Sequence, residues 1–467
     1  MKKVTKKQYS HAPQFVAQLK RIEQAIGKSQ LQLATQLLNQ LAPMASHDPR
    51  LFLLGSRVAE VAGNAEGMLQ AAHKAHQLEP QWPVASARLA DVLASRGEAK
   101  QALAMAGLAM NQAVTQNTLD VELLSKAVMM ARRFGQHALA LQWLRESERF
   151  FPNDVNHKRQ VALCLADCGD FDSALTDLSS LLQMRPGDPV LLGDRFRTAV
   201  RAGQFAQAIA DGQALLALDP GNEEWVFYLS VARGETPPTL PGAMVTALFD
   251  QYAARFDREM VVQLKYKLPR EVAAMVERWF PEKKVDVLDL GCGTGLLGVC
   301  LGPIRGAMVG VDLSAEMIAQ ASRHGVYHQF HQVNVLDALR ATPDAEYSLI
   351  TALDVFTYVG DLGPVIGNAN RILSSDGRFV FSCEDACTGE ADYSLRGAFR
   401  YQHKRGYVQR LLEDAGFQHI QIEDRVLRYE ADAPVTGFLV VACKGEKQTA
   451  KLPKRTTRSV KVARATQ

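Results

Sequence analysis

VDVLDLGCGTGLLG, residues 285 to 298, decides how the rest of the chain is read. Val285, Val287, Leu288 and Leu290 form a short apolar and partly β-branched run, the pattern of a parallel strand buried on both faces. Gly291, Gly293 and Gly295 then alternate with Cys292 and Thr294. Lacking Cβ, such positions accept positive φ angles and let a ligand lie directly against the backbone. Leu296 to Leu301 reads as the start of a helix. Strand, glycine turn and helix in this order aim unpaired amide groups at whatever sits above the carboxyl end of the strand.

After that helix, AMVGVDL gives a second buried strand ending at Asp312. This is about 20 residues beyond the first glycine, where a ribose-binding carboxylate is expected, its two oxygens suiting two vicinal hydroxyls. A dinucleotide fingerprint needs glycine at position 296 to admit a pyrophosphate, and Leu296 stands there. DLGCGTG followed by GVDLSAEM instead resembles motifs of the class I S-adenosylmethionine-dependent methyltransferases, whose ligand carries ribose and adenine but no pyrophosphate. The resemblance spans about residues 242 to 445 and implies an α/β Rossmann-like domain with a seven-stranded sheet closed by an antiparallel hairpin.

The resemblance also implies a cofactor site, residue by residue. Asp289 is placed near the amino group of the methionine moiety, with a turn acceptor for neighbouring amides as its other reading. Gly291, Gly293 and Gly295 form the floor and Asp312 holds the ribose. Leu313 and Met317 are candidates to flank the adenine, Met317 equally a core residue. Asn334, with Asp337 as the other candidate, stands where many family members carry an acid that accepts from the adenine amino group. Leu353, Asp354 and Tyr358 follow the fourth strand, facing cofactor and acceptor. LFDQYAARFD resembles the amino-terminal cover of many members, with Tyr252 over the cofactor and packing as the alternative for Phe249 and Phe256.

The amino-terminal half repeats. Gly63, Gly97, Gly135, Gly169 and Gly203 recur every 34 residues with a single interval of 38, and Ala102, Ala140, Ala174 and Ala208 follow the last four by five positions. Pro80, Pro152, Pro186 and Pro220 lie 17 residues after their glycines, so each unit reads as helix, glycine turn, helix and proline stop. These units resemble tetratricopeptide repeats, an all-α solenoid over residues 12 to 233, with Ser29 and Ala34 in a degenerate first copy. Six units are expected. The four-residue excess in AMNQAVTQNTLD is expected as a longer loop. Such stacks present a concave face that usually holds a peptide or a partner helix, so a protein partner is expected there; an internal brace is the alternative.

Composition bounds the rest. A chain of 467 residues is too long for one core, and a net charge of +3 is too small to name a partner. No apolar run approaches the ~20 residues that span a bilayer, which leads to an expectation of a cytoplasmic protein without membrane association. The seven cysteines lack disulfide or zinc spacing and read as reduced, small buried hydrophobes, with no metal site expected. GETPPTLPG, residues 234 to 242, supplies a linker over 234–241, and the methyltransferase-like domain is expected over 242–445. The basic stretch 446–467 has no aromatic residue and is expected to be a disordered tail, able to meet nucleic acid through phosphate charge but without means of base recognition.

Together these segments resemble bacterial predicted methyltransferases with tetratricopeptide repeats, which implies methyl transfer from S-adenosylmethionine to an unspecified small-molecule or protein acceptor. The rival is a repeat scaffold whose second domain binds the cofactor without turnover. The Asn/Asp-Pro-Pro-aromatic segment of exocyclic and amide nitrogen methyltransferases is missing, which counts against adenine, cytosine and glutamine acceptors. Tyr358 and His403 are the catalytic candidates. The second lies in RYQHKRGYVQRLLEDAGF, expected as an acceptor-side insertion in which Arg400, Tyr401, His403, Arg405 and Tyr407 provide charge and aromatic surface.

Overall fold

The computed structural model describes residues 13–43, 47–253, 256–386, 391–396, 399–430 and 433–445. The expectations for the basic tail 446–467 and for Cys387 therefore fall outside the described residues. The chain divides into two compact units, Met1–Gln263 and Leu264–Gln467. The division falls beyond the proline-rich stretch, and Arg258 shows why residues up to 263 group with the first unit. Its guanidinium lies against Gly97, where a Cβ would come within 3.0 Å of it.

The first unit contains the six expected helix pairs, from Pro13–Gly27 with Leu31–Leu41 to Pro189–Ala202 with Phe205–Leu218, followed by Glu223–Ala232. Gly63, Gly97, Gly135, Gly169 and Gly203 all take positive φ in the turn inside each pair. In the degenerate first pair Ser29 takes the same conformation, at φ 55°. Ala34, Ala102, Ala140, Ala174 and Ala208 are all buried to 1% exposure or less, as close helix crossings require. The excess residues do not form a loop. They extend the second helix of the third pair, Ala99–Gln116, to 18 residues, where Ala65–Leu78 has 14, and Asn117 ends it in the left-handed conformation. Acids cross-link successive pairs: half-buried Asp167 meets Arg132 at 2.8 Å and Arg201 at 3.2 Å, while buried Asp194 pairs with Arg159 and, within its own helix, with Arg197 at 3.0 Å.

The second unit opens with the helix Leu268–Trp279, which has its proline in the first turn where no amide is needed. Among the described residues nine strands follow: β1 Val287–Leu290, β2 Met308–Asp312, β3 Gln329–Gln332, β4 Tyr347–Ala352, β5 Leu373–Glu384, β6 Tyr393–Leu395, β7 Tyr401–His403, β8 Phe417–Glu430 and β9 Ala433–Lys444. Seven form one sheet in the order β3-β2-β1-β4-β5-β9-β8. The first five are parallel, β9 runs antiparallel to β5, and β8 and β9 form the expected antiparallel hairpin. β1 is wholly buried while the edge strand β3 is largely exposed. Leu288, Leu290, Phe379 and Phe381 share one core with Val365 and Ile366 of the helix Gly363–Ile372 and Val408 of the helix Arg405–Asp414. The strand order reverses between β1 and β4, which opens a crevice at their carboxyl ends.

The stretch 400–407 is not an aromatic surface. β6 and β7 pair in a separate small sheet, Tyr401 and His403 are fully buried and Tyr407 is nearly so. Period-2 alternation explains it: Tyr401 and His403 point inward from β7 while Gln402 between them stays half-exposed. Gly360 makes room, since a Cβ there would come within 2.6 Å of Tyr401 and 2.7 Å of Tyr393. The cysteines also depart from a uniform reading: Cys164, Cys292 and Cys383 are buried, but Cys168 and Cys300 are exposed, and all are free thiols. Among the described residues no helix is long and apolar enough to cross a membrane.

Candidate active site

The candidate site lies at the carboxyl ends of β1, β2 and β4. Gly291, Gly293 and Gly295 follow β1 with φ of 63°, 55° and 84°. A Cβ on Gly291 would come 2.5 Å from Cγ2 of Val355, so glycine is required there by both backbone and space. The Gly293 amide donates to Oδ2 of Asp312 at 2.8 Å, and the Ser314 amide to Oδ1 at 2.9 Å. One carboxylate at the end of β2 thus ties the glycine turn to the head of the next helix, Ala315–Ser322, whose cap is Ser314.

Asp289 lies below the turn and is 3% exposed. Thr351 on β4 donates to its Oδ1 and Tyr327 to its Oδ2, each at 2.7 Å. Burial raises its carboxyl to about 6, the two hydroxyl donors oppose that rise and nearby Asp312 adds to it. A buried acid with no cation beside it gains from a cationic ligand group.

The other sequence candidates in the second unit lie in the segments that follow β2, β3 and β4. Met317 is completely buried, while Leu313 is half-buried with its carbonyl oxygen accepting from Gln332. Asn334 lies two residues past β3, and its side chain caps the helix Val335–Ala341 by accepting from the Leu336 amide. Asp337 stands exposed on that helix, 3.5 Å from Arg340. Leu353 is half-buried. Asp354 adopts a left-handed φ of 59°, with its amide donating to Ser382 and its carboxylate accepting from Arg428, at 2.8 and 2.7 Å. Tyr252 closes the helix Gly242–Tyr252 in the first unit, and its side chain falls outside the described residues.

Tyr358 ends a single 3-10 turn, Phe356–Tyr358, and burial pushes its phenol up to about 12. The His403 ring donates from Nε2 to the carbonyl oxygens of Val359 and Gly360, at 2.9 and 3.0 Å. Its Nδ1 is buried without a hydrogen-bond partner. Burial lowers it to about 4, so the ring is neutral at pH 7.

Sequence reasoning missed three participants. Tyr327 was one, hidden in a loop. Arg428 was another: it is buried at the end of β8 and binds Asp354, Glu384 of β5 and, at 2.9 Å, Glu430. Glu384, 3% exposed, is the third. Alternation in VLRYE does not reveal the cluster, because Leu427 and Arg428 are buried side by side where the β8–β9 register shifts between Val426 and Arg428.

Residues 261–422 match the family model of a methyltransferase domain. The second unit is a methyltransferase domain. Its similarity extends to ubiquinone biosynthesis O-methyltransferases. The chain is 30% identical over 142 residues to that of Sodalis glossinidius, covering 29% of this chain and 57% of that enzyme. It is likewise 30% identical over 146 residues to that of Pseudomonas savastanoi, covering 29% and 60%. The chain thus spans less than two thirds of these relatives. Solved structures similar to parts of the chain include magnesium protoporphyrin IX methyltransferase from Synechocystis, at 15% identity, 44% and 100% coverage and a TM-score of 0.34. The tetratricopeptide-repeat protein YrrB matches at 17% identity, 42% and 96% coverage and the same TM-score of 0.34. In the methyltransferase domain the glycine turn with its three positive-φ residues and the two acids beside it fit S-adenosylmethionine, a ligand with ribose hydroxyls and two cationic groups.

Proposed function

We propose that this protein transfers a methyl group from S-adenosylmethionine to a small-molecule or protein acceptor, and that its repeat unit recruits a protein. The observation that carries the first part is Asp312, whose carboxylate is held by the Gly293 and Ser314 amides at the rim of the glycine turn. When bound, S-adenosylmethionine supplies a methyl group on a sulfonium, already activated for in-line displacement. The work left to the chain is to bind, align and exclude water. Asp312 takes the ribose, Asp289 the ammonium side, the glycines give close backbone approach, Leu313 and Asn334 border the adenine, and Leu353 and Asp354 face cofactor and acceptor.

Neither catalytic candidate carries charge at neutral pH, given Tyr358 near 12 and His403 near 4. In this reading Tyr358 offers a hydrogen bond to the acceptor, and His403 holds the backbone at 359–360 that follows it. The relatives are named as O-methyltransferases, so oxygen acceptors are the first class to test. Calorimetry should show binding of S-adenosylmethionine and its demethylated product but not of NAD, and loss of binding in Asp312→Ala. Radiolabelled methyl donor added to extract lacking the protein should label one fraction on addition of wild type and none with Asp312→Ala. Binding without any labelled fraction would favour the scaffold. For the repeat unit, immobilised residues 12–233 and the full chain should capture the same protein.

A further inference from the structure

We propose that Tyr327 is a positioning residue for cofactor binding: its hydroxyl, held in place by Gly295 of the turn and Gly298 of the helix after it, fixes the Asp289 carboxylate as an anion facing a cationic ligand group. This rests on the reading of Asp289 given above. Tyr327 comes from the loop before β3 and reaches back 38 residues to β1. The helix that follows the glycine turn, Leu296–Leu301, is shaped around it. A Cβ on Gly298 would come 2.5 Å from the Tyr327 ring, and one on Gly295 would come 3.0 Å from it. From the other side Phe330 of β3 packs against the ring with centroids 4.9 Å apart. Phe330 is itself seated on Gly310 of β2, where a Cβ would come within 2.9 Å. A ring clamped between two glycines and an aromatic neighbour delivers its hydroxyl to one place, Oδ2 of Asp289 at 2.7 Å.

The groups facing Asp289 come from several elements: Thr351 on β4, Asp312 on β2, Cys292 in the turn, Tyr266 before the helix Leu268–Trp279, and Tyr327. None is a cation. Each carboxylate oxygen therefore has one neutral hydroxyl donor, Thr351 or Tyr327, and keeps a further lone pair for a ligand. Hydrogen bonds to the charged form favour it, so removing the phenol leaves a buried acid with half its support. Gly298 thereby acquires a role of its own: it makes room for the tyrosine that charges the site.

The test is calorimetric titration of the full-length protein with S-adenosylmethionine between pH 5 and 7.5, using wild type and Tyr327→Phe. The ligand's own α-carboxyl and α-amino groups titrate mainly outside this window. Wild type should lose affinity as the pH falls through about 6, where Asp289 takes up a proton. Tyr327→Phe, which keeps the ring against Gly298, should bind roughly ten-fold more weakly at pH 7.5 and show its acid midpoint shifted upward by about half a unit or more. An unchanged midpoint, with or without a lower melting temperature, would overturn the proposal. A wild type with no acid limb would overturn the Asp289 reading itself, whatever the variant does. Should Tyr327→Phe not fold, Gly298→Ala displaces the ring while keeping the hydroxyl, and the same midpoint decides.

Discussion

Replacing Gly291 by alanine tests the most constrained point of the site. The residue sits at φ 63°, and the added Cβ would lie 2.5 Å from Cγ2 of Val355. The left-handed conformation costs an alanine about 1–2 kcal/mol. Overpacking against Val355, a partly buried side chain packed on the core, costs about 1–3 kcal/mol. Their sum, about 2–5 kcal/mol, is far above an ordinary surface substitution. Because the chain has two units, hydrogen exchange of the β1 and β4 amides is the assay, since it reports opening of this domain alone. Val355→Ala removes the clashing methyl, so Gly291→Ala with Val355→Ala should recover the packing part and leave the backbone part, a coupling of about 1–3 kcal/mol. Gly291→Ala with under 0.5 kcal/mol effect, or no coupling to Val355, would refute the argument that both backbone and space demand glycine here.

Asp289→Asn should stabilise the ligand-free protein at pH 7 while abolishing cofactor binding. A carboxyl raised from 3.8 to about 6 costs stability above pH 6 and nothing below 3.8. The gain of about 2–3 kcal/mol should therefore fade as the pH falls from 6 to 4, as urea melts across that range would show. His403 acts with the opposite sign, since its lowering from 6.5 to about 4 means that stability is lost as the pH falls through that interval, and His403→Asn should flatten that acid limb. In the repeat unit, Asp194→Ala removes a buried acid, 2% exposed, from Arg159 and Arg197, and a loss of about 3 kcal/mol is expected in denaturant titration of the full chain. A fragment ending at residue 263 should melt higher than one ending at 233, because only the longer one keeps Arg258 on Gly97. Equal melting temperatures would contradict that contact.

What could be read from the sequence is what local backbone chemistry fixes. Positive φ at the repeat turns demands glycine, and the close crossings demand alanine, so a 34-residue period survives in the text. The glycines at 291, 293 and 295 and the acid ending β2 were legible for the same reason. What escaped are pairings between residues far apart in the chain. Tyr327 meets Asp289 across 38 residues and Arg428 meets Asp354 across 74, and neither partner announces the other. The burial of Tyr401 and His403 was missed because their flanking arginines suggested a solvated face, while the space that receives Tyr401 is made by Gly360, 41 positions upstream. The four-residue excess in AMNQAVTQNTLD fits a loop, but continuing the helix to Gln116 satisfies the same spacing.

That extended helix says something about which insertions a stacked array can absorb. Four extra residues rotate an α-helix by about 400°, only about 40° past a full revolution, and lengthen it by about 6 Å. The apolar stripe therefore returns to nearly its former heading, and Ala140 and Ala174 in the next two pairs stay fully enclosed. An insertion of two residues at the same place would turn the stripe about 200° away from its neighbours. Length changes in such an array are thus quantised by the helical turn, and a repeat can carry a protruding ridge of its own without disturbing the phase of the copies that follow.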